Sequence, residues 1–382
     1  MRISIRLIRR AAGSAVLVAV ALMCASAAQA APAAGAGIEV SGNHLTTLGG
    51  TTVRLLGVNR SSGEYNCISH TTKTVWSGPT NAASSAAITS WHANAVRLPL
   101  NEDCWLGING VNPRLGGAQY RLRVKRYVDS LNAAGLYVIL DLHWAAPGRS
   151  LASEQWPMAD ASHAPAFWRS VGSVFASDRA VLFDLYNEPF ISSWSCWENG
   201  CSTQFTSGGH SVTYQTAGMQ QLVNAVRASG ARNPLLLGGV GYASDESQWV
   251  QYEPHDPDNQ LIVSFHTYNF TGCNNVGCWN QEIAPLAAKV PVVTGEFGEN
   301  DCADGYSLAY MNWADAHGVS YLGWAWDATD SGWSCSAGPA LIVNYGGTPT
   351  AYGIGLQSHL AMLASASAAS DTRPRASAHF VK

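Results

Sequence analysis

Short, nearly continuous apolar runs alternate along this chain with longer segments in which apolar residues recur every three or four positions. The runs are Val53–Val58, Ala93–Leu98, Tyr137–Leu142, Val181–Tyr186, Leu235–Val240, Leu261–Phe265, Val290–Thr294 and Tyr321–Trp326. Unbroken apolar runs of this length suit parallel strands covered on both faces, where an open antiparallel sheet would alternate. Between the second and third runs, Tyr120, Val124, Tyr127, Val128 and Leu131 mark one face of a helix. Arg121, Arg123, Lys125 and Arg126 occupy its other faces, and Gly135 follows where a C-cap glycine belongs. Eight such strand–helix pairs predict an α/β protein, a single-domain (β/α)₈ TIM barrel, rather than a doubly wound sheet.

The polar residues then acquire a common location. Arg97 lies in the second run, His143 closes the third, and Asn187-Glu188 closes the fourth. His266 and Tyr268 end the sixth, Glu296 ends the seventh, and Trp324 and Trp326 end the eighth. In a barrel all these strand ends converge on the face whose loops build a cleft.

A carboxylate at the end of an apolar strand is costly unless it is paired or functional. Glu188 and Glu296 are two such residues on opposite sides of the predicted barrel, with few lysines nearby. Glycosidic cleavage needs two carboxyls, and a separation of ~5–5.5 Å lets one attack directly with retention of configuration. Glu188 is therefore the expected acid/base and Glu296 the expected nucleophile. Ionised Glu296 is expected to raise the pKa of Glu188 and keep it protonated. Arg97 is placed to hold Glu296 ionised, Tyr268 to donate a hydrogen bond to it, and Asn187 to bind a sugar 2-hydroxyl. His143 and His266 are expected to bind sugar hydroxyls or orient the acids, and Trp326 to stack under the cleaved sugar.

These residues resemble glycoside hydrolase family 5, the cellulase-type family of the clan A barrels. The resemblance runs from Val53 to about Asp330 through Asn-Ala-Val-Arg97-Leu-Pro, Val-Ile-Leu-Asp-Leu-His143 and Leu-Tyr-Asn187-Glu188-Pro. It continues through Ser-Phe-His266-Thr-Tyr268, Val-Val-Thr-Gly-Glu296-Phe-Gly and Gly-Trp-Ala-Trp326-Asp. It implies the barrel, a retaining mechanism, Glu188 as acid/base and Glu296 as nucleophile. It also implies Arg97, His143, Asn187, His266, Tyr268 and Trp326 as the subsite around the cleaved bond. Cellulase-like action on β-1,4-glucan leads; β-mannanase or exo-glycosidase action on short glycans, and an inactive carbohydrate-binding barrel, remain alternatives. The insertion Phe190–Ser211, with Trp194 and Trp197, is expected to cover one end of the cleft.

Composition adds a compartment and excludes some partners. Arg2, Arg6, Arg9 and Arg10 precede an apolar stretch, and Ala28-Gln29-Ala30 gives a small-residue cleavage site, so residues 1–30 read as a secretory signal. The stretch is shorter than the ~20 residues a membrane span needs. Without the four signal arginines, 18 of the 22 basic residues face 26 acids. That balance argues against nucleic-acid or membrane partners; the expected partner, from the paired carboxyls and the resemblance, is a β-linked polysaccharide or oligosaccharide bound by a monomer. Residues 31–37 are expected to be a flexible stub, 38–363 the catalytic domain, and the Ala/Ser-rich 364–382 a disordered tail. Of nine cysteines, the eight beyond Cys24 suit an exported, disulfide-bonded chain. The close pairs Cys196/Cys201 and Cys273/Cys278 staple single loops, and 67–104 with 302–335 is the preferred pairing of the rest. No organic cofactor is expected, since no glycine-rich phosphate loop lies between a strand and a helix, and no metal is assigned among the site residues.

Overall fold

The computed structural model describes residues 37–336 and 338–371. The segment 1–30 expected to be a signal, most of the expected stub and the last part of the expected tail lie outside the described residues. Eight parallel strands close a barrel in sequence order: β1 (Leu56–Asn59), β2 (Ala95–Asn101), β3 (Tyr137–Trp144), β4 (Val181–Asp184), β5 (Leu235–Gly238), β6 (Leu261–Tyr268), β7 (Val292–Gly298) and β8 (Ser320–Gly323). The predicted (β/α)₈ barrel is the observed one.

Alternation along the strands sorts the side chains into two layers. Val138, Leu140 and Leu142 of β3 point outward into the apolar layer shared with helices such as Ala118–Ala133 and Ala164–Phe175. Tyr137 and Ile139 point inward and meet Ala95, Leu182, Leu236, Ile262, Val293 and Leu322 from other strands. A three-stranded antiparallel sheet, Ile38–Ser41, His44–Thr47 and Thr52–Val53, seals this lower barrel end by adding Ile38, Leu45 and Val53 to the same cluster. One step higher the inward positions turn polar: Arg97 on β2, Asp141 and His143 on β3, Asp184 on β4, Ser264 and His266 on β6. The apolar lower layer makes the barrel a packed core, and the polar upper layer is its working face.

Two expectations fail locally. The fifth strand is not followed by a helix of ordinary length: Val240–Ala243 and the 3₁₀ turn Trp249–Tyr252 take its place. That segment is punctuated by Gly239, Gly241, Pro254 and Pro257, which oppose helix propagation. Conversely, the last helix runs Ala351–Asp371 and passes the expected boundary at residue 363. Its Ala-rich end has high intrinsic helix propensity and extends a helix already anchored by Tyr352, Leu356 and Leu360.

All four expected disulfides are present, with Cα–Cα distances of 6.0 Å for 67–104, 5.1 Å for 196–201, 5.5 Å for 273–278 and 4.9 Å for 302–335. Each lies in the loops that follow the C-terminal ends of barrel strands. No helix among the described residues is long and apolar enough to cross a membrane.

Candidate active site

Glu296 reaches the barrel interior through an irregularity in β7. Thr294 pairs with Phe265 and Glu296 with His266, leaving Gly295 as an extra residue between them. Thr294 faces outward, hydrogen-bonded to Tyr310 of the helix Gly305–Ala316. Strict alternation would send Glu296 outward as well; the bulge at Gly295 resets the parity and turns it inward. Only glycine fits there, because a Cβ at 295 would lie 2.8 Å from His266 Nε2.

Once inside, the Glu296 carboxylate is held from both sides. Arg97 Nη1 donates to Oε1 at 2.8 Å and the Tyr268 hydroxyl donates to Oε2 at 2.6 Å. The same guanidinium donates from Nε to Asp184 Oδ2 at 2.9 Å and lies 3.1 Å from Asp141 Oδ1 through Nη2. It also donates to Asn187 Oδ1 at 2.8 Å and to Asn59 Oδ1 at 3.2 Å. Arg97 is fully buried. Burial alone would lower its pKa, but Asp141, Asp184 and Glu296 outweigh it and hold the guanidinium charged. Burial pushes Asp141 and Asp184 above the usual carboxylate range, with Arg97 opposing. The inner layer therefore carries fewer charges than its carboxyl count suggests.

Glu188 lies beyond the end of β4, where Asn187 N bonds Leu142 O at 3.1 Å and Gln155 Nε2 bonds Glu188 O at 3.2 Å. Its carboxyl Oε1 is 3.0 Å from His266 Nδ1. One oxygen of Glu188, one of Glu296 and a ring nitrogen of His266 all lie within 4.8 Å of one another. The Glu188 pKa is pushed up to about 7, mainly by burial, against the opposing influence of His143 and Arg97. This corrects the expected cause: the Glu296 charge is matched by Arg97, so desolvation rather than repulsion keeps Glu188 protonated. The Glu188 side chain nonetheless keeps 23% of its exposure and lines the cleft.

Both histidines are neutral. Burial lowers the His266 pKa to about 3 and the His143 pKa to about 4. His143 Nδ1 lies 2.6 Å from Asp141 Oδ2, and its ring stacks on Trp324 at 5.7 Å and 16°. A cleft of about 580 Å³ is lined by His143, Asn187, Glu188, Tyr268, Glu296 and Trp324, with Tyr242 and Phe270 toward one side. Tyr242 stacks on Phe190 and Phe270 on Tyr268, so both exposed rings have a packing partner.

The structure thus brings together Glu188, Glu296, Arg97, His143, Asn187, His266 and Tyr268. Trp326 does not join them. It is fully buried and packs edge-on against Trp91 at 4.8 Å; Trp324 is the cleft tryptophan. Regular pairing of β8 stops at Gly323, so strand periodicity cannot assign faces to the residues beyond it. Trp194 and Trp197 likewise turn into the core, where Trp194 stacks on Tyr252. Within that insertion it is Phe190, beneath Tyr242, that supports the cleft wall.

Sequence reasoning did not single out Asp141, Asp184 and Asn59. Their signal was available: each is a polar residue inside an apolar strand at an inward position. Among the described residues, Glu188/His266/Glu296 and Glu102/Asp160/His163 have the spacing to hold a metal. In the first set, Arg97 and Tyr268 already occupy both oxygens of Glu296, so a cation there meets a guanidinium. A third set contains Cys273 and Cys278, which are disulfide-bonded.

A family model described as Cellulase (glycosyl hydrolase family 5) matches residues 58–330, most of the described barrel. The chain belongs to glycosyl hydrolase family 5. Among its family relatives is a manganese-dependent endoglucanase from Phanerodontia chrysosporium, 27% identical over 57% of this chain and 54% of that protein. A mannan endo-1,4-β-mannosidase from Cellvibrio japonicus is 25% identical over 79% of this chain and 62% of that protein. The chain therefore spans only about half to three-fifths of the length of these relatives. A Saccharophagus degradans β-glucanase has the same fold, with a TM-score of 0.64 at 20% identity over 87% of this chain and 95% of that one.

Proposed function

We propose that this family 5 chain is a secreted retaining β-glycoside hydrolase acting on β-1,4-glucan. The observation that carries the reading is the approach of Glu188 and Glu296 to within 4.8 Å, each with its own partners. Inverting enzymes hold their carboxyls ~6.5–9.5 Å apart to seat a water between protein and sugar. Here the gap suits direct attack.

In the first step a Glu296 oxygen forms a bond to the anomeric carbon as the glycosidic C–O bond breaks. Glu188, neutral through burial, gives its proton to the departing oxygen. With His266 Nδ1–H donating to Oε1, Oε2 is left to carry that proton into the cleft. Arg97 and Tyr268, each bonded to one oxygen of Glu296, hold that carboxyl oriented until the ester forms. In the second step Glu188, now a carboxylate, takes a proton from water, whose oxygen attacks the anomeric carbon and releases Glu296. Asn187, fixed by Arg97 and by Gln155 Oε1 at 3.2 Å, presents its amide to the sugar 2-hydroxyl. With Nδ1–H directed to Asp141, neutral His143 leaves Nε2 to accept from a hydroxyl, and Trp324 offers a ring face to the sugar.

The endoglucanase relative supports glucan as the substrate, and a structural neighbour from Saccharophagus degradans was solved with cellotetraose. Mannan is the second reading, favoured by the greater share of this chain that the mannosidase matches. The leading segment 1–30 supports export.

Hydrolysis of barley β-glucan and of mannan, followed by proton NMR across pH, tests the proposal. The expected result is glucan cleavage releasing the β-anomer first. The protonated form of Glu188 is the active one, so kcat/KM falls as pH rises through about 7. Cleavage of mannan alone transfers the reading to a mannanase. An α-anomer as first product, or inertness toward both glycans, contradicts it.

A further inference from the structure

The cleft extends past the reacting carboxyls into a part that the chemistry leaves unused. The loops after β5 and β6 form it, through Gly241, Tyr242, Phe270, Thr271 and Gly272. The His143–Trp324 stack joins the ends of β3 and β8, across the other half of the ring of strands. Glu188, which protonates the departing oxygen, follows β4 and adjoins the β5 loop. The contact is direct, since Tyr242 N donates to Pro189 O at 2.9 Å. The sugar that Glu296 attacks therefore lies toward Trp324, and the group attached to the departing oxygen lies toward Tyr242 and Phe270.

Two rings dominate this half. Tyr242 is 49% exposed and Phe270 60%, although each has a stacking partner: Phe190 at 4.8 Å for Tyr242, Tyr268 at 5.1 Å for Phe270. Apolar faces left open beside a catalytic centre mark a place where an apolar group settles. The backbone presents Tyr242 against its own preference. Gly241, Tyr242 and Ala243 have φ values of 61°, 64° and 53°, a left-handed run that a Cβ disfavours. Ser244 Oγ, bonded to His266 O at 3.1 Å, ties that turn to β6. Polar partners are scarce by contrast. Thr271 Oγ1 already accepts from Tyr268 N at 3.1 Å and donates to Tyr268 O at 3.0 Å. Gly241 and Gly272 bring no side chain, which leaves the Tyr242 hydroxyl to answer any hydroxyl of a ligand. A pyranose has several hydroxyls that must be matched when they leave water, whereas a hydrocarbon has none.

We propose that the leaving-group half of the cleft takes an apolar aglycone, so that the enzyme cleaves alkyl and aryl β-glycosides as well as glycan. The alkyl chain or aryl ring lies on the open faces of Tyr242 and Phe270 while its glycosidic oxygen meets Glu188. The bond from that oxygen to the anomeric carbon breaks as Glu296 bonds to the carbon. The aglycone leaves as an alcohol or phenol, carrying the Glu188 proton. The inference rests on the double-displacement reading of the two glutamates and is indifferent to which sugar occupies the other half.

The test compares methyl, butyl and octyl β-cellobiosides with cellotriose as substrates of the full chain. The corresponding β-mannobiosides and mannotriose replace them if mannan is the glycan hydrolysed. The three alkanols are similarly poor leaving groups, so differences in kcat/KM report how the chain binds. A methylene fully withdrawn from water is worth about fourfold, and partial cover of the chain should raise kcat/KM for the octyl glycoside ~20-fold or more over the methyl one. Glycine is at ease with the left-handed backbone at position 242, so Tyr242→Gly removes the ring without straining the turn. Phe270→Ser removes the second ring from an exposed position. Each variant should cut the octyl-to-methyl ratio by about fivefold. Equal kcat/KM along the alkyl series, or a ratio unchanged in both variants, overturns the proposal and leaves the roles of the glutamates intact. Faster cleavage of cellotriose than of the octyl glycoside does the same and puts a sugar on the two rings. Inertness toward every one of these glycosides overturns the proposal together with the reading on which it rests.

Discussion

Glu296→Ala is expected to lower kcat on β-glucan by on the order of 10⁴-fold or more, because the group that forms the glycosyl ester is gone. The fold should survive, since Arg97 retains Asp141 and Asp184 as partners. The variant also leaves a small vacancy beside the Tyr268 hydroxyl, next to Glu188. Azide added to the assay should occupy it, attack the anomeric carbon and release a glycosyl azide of inverted configuration. Parallel loss of activity without azide rescue in Glu296→Ala, or full activity without any external nucleophile, contradicts the role assigned to Glu296.

The second large effect is on stability. Among the described residues, Arg97 is the one guanidinium contacting Asp141, Asp184 and Glu296, all at 2.8–3.1 Å. Arg97→Met keeps much of the side-chain volume but removes every donor. Breaking a buried pair from one side costs about 3–5 kcal/mol, and the three carboxyls here must share that loss. The expected result is a destabilisation of at least that size in urea unfolding, together with loss of turnover. Part of the penalty can be relieved by protonating the carboxyls, so the deficit should shrink as pH falls. Arg97→Lys should recover charge but not the forked geometry, giving intermediate stability and little activity. An unchanged unfolding midpoint in Arg97→Met contradicts the electrostatic description of the inner layer.

The parts of the molecule that follow from periodicity were readable in advance. Apolar runs such as Tyr137–Leu142 and the face Tyr120, Val124, Tyr127, Leu131 record burial directly, so the barrel and its strand order could be inferred. Polar residues at the ends of those runs could be placed on one face for the same reason. Where regularity stops, so does the inference. Gly295 makes the parity of Glu296 unreadable by alternation, although glycine before a strand-end glutamate is a cue to a bulge. Trp324 and Trp326 look equivalent in sequence; only packing on Trp91 separates the core ring from the cleft ring. Charge balance is still harder to read. Glu188 was expected to feel Glu296, but the field reaching it depends on Arg97, 91 positions earlier in the chain. Asp141 and Asp184 complete that balance and were passed over because each is embedded in an apolar run. Close spacing made the disulfides 196–201 and 273–278 legible, whereas 67–104 and 302–335 were one choice among three arrangements that spacing does not decide.

The measurement that bears most directly on the paired carboxyls is trapping with a 2-deoxy-2-fluoro glycoside carrying a good leaving group. The fluorine slows both steps, while the activated leaving group keeps the first faster than the second. The account predicts inactivation in step with a mass gain of one fluorosugar per chain, located on the peptide that contains Glu296. An enzyme that hydrolyses β-glucan yet carries the label on another residue, or turns the reagent over with no covalent adduct and an inverted product, would contradict it.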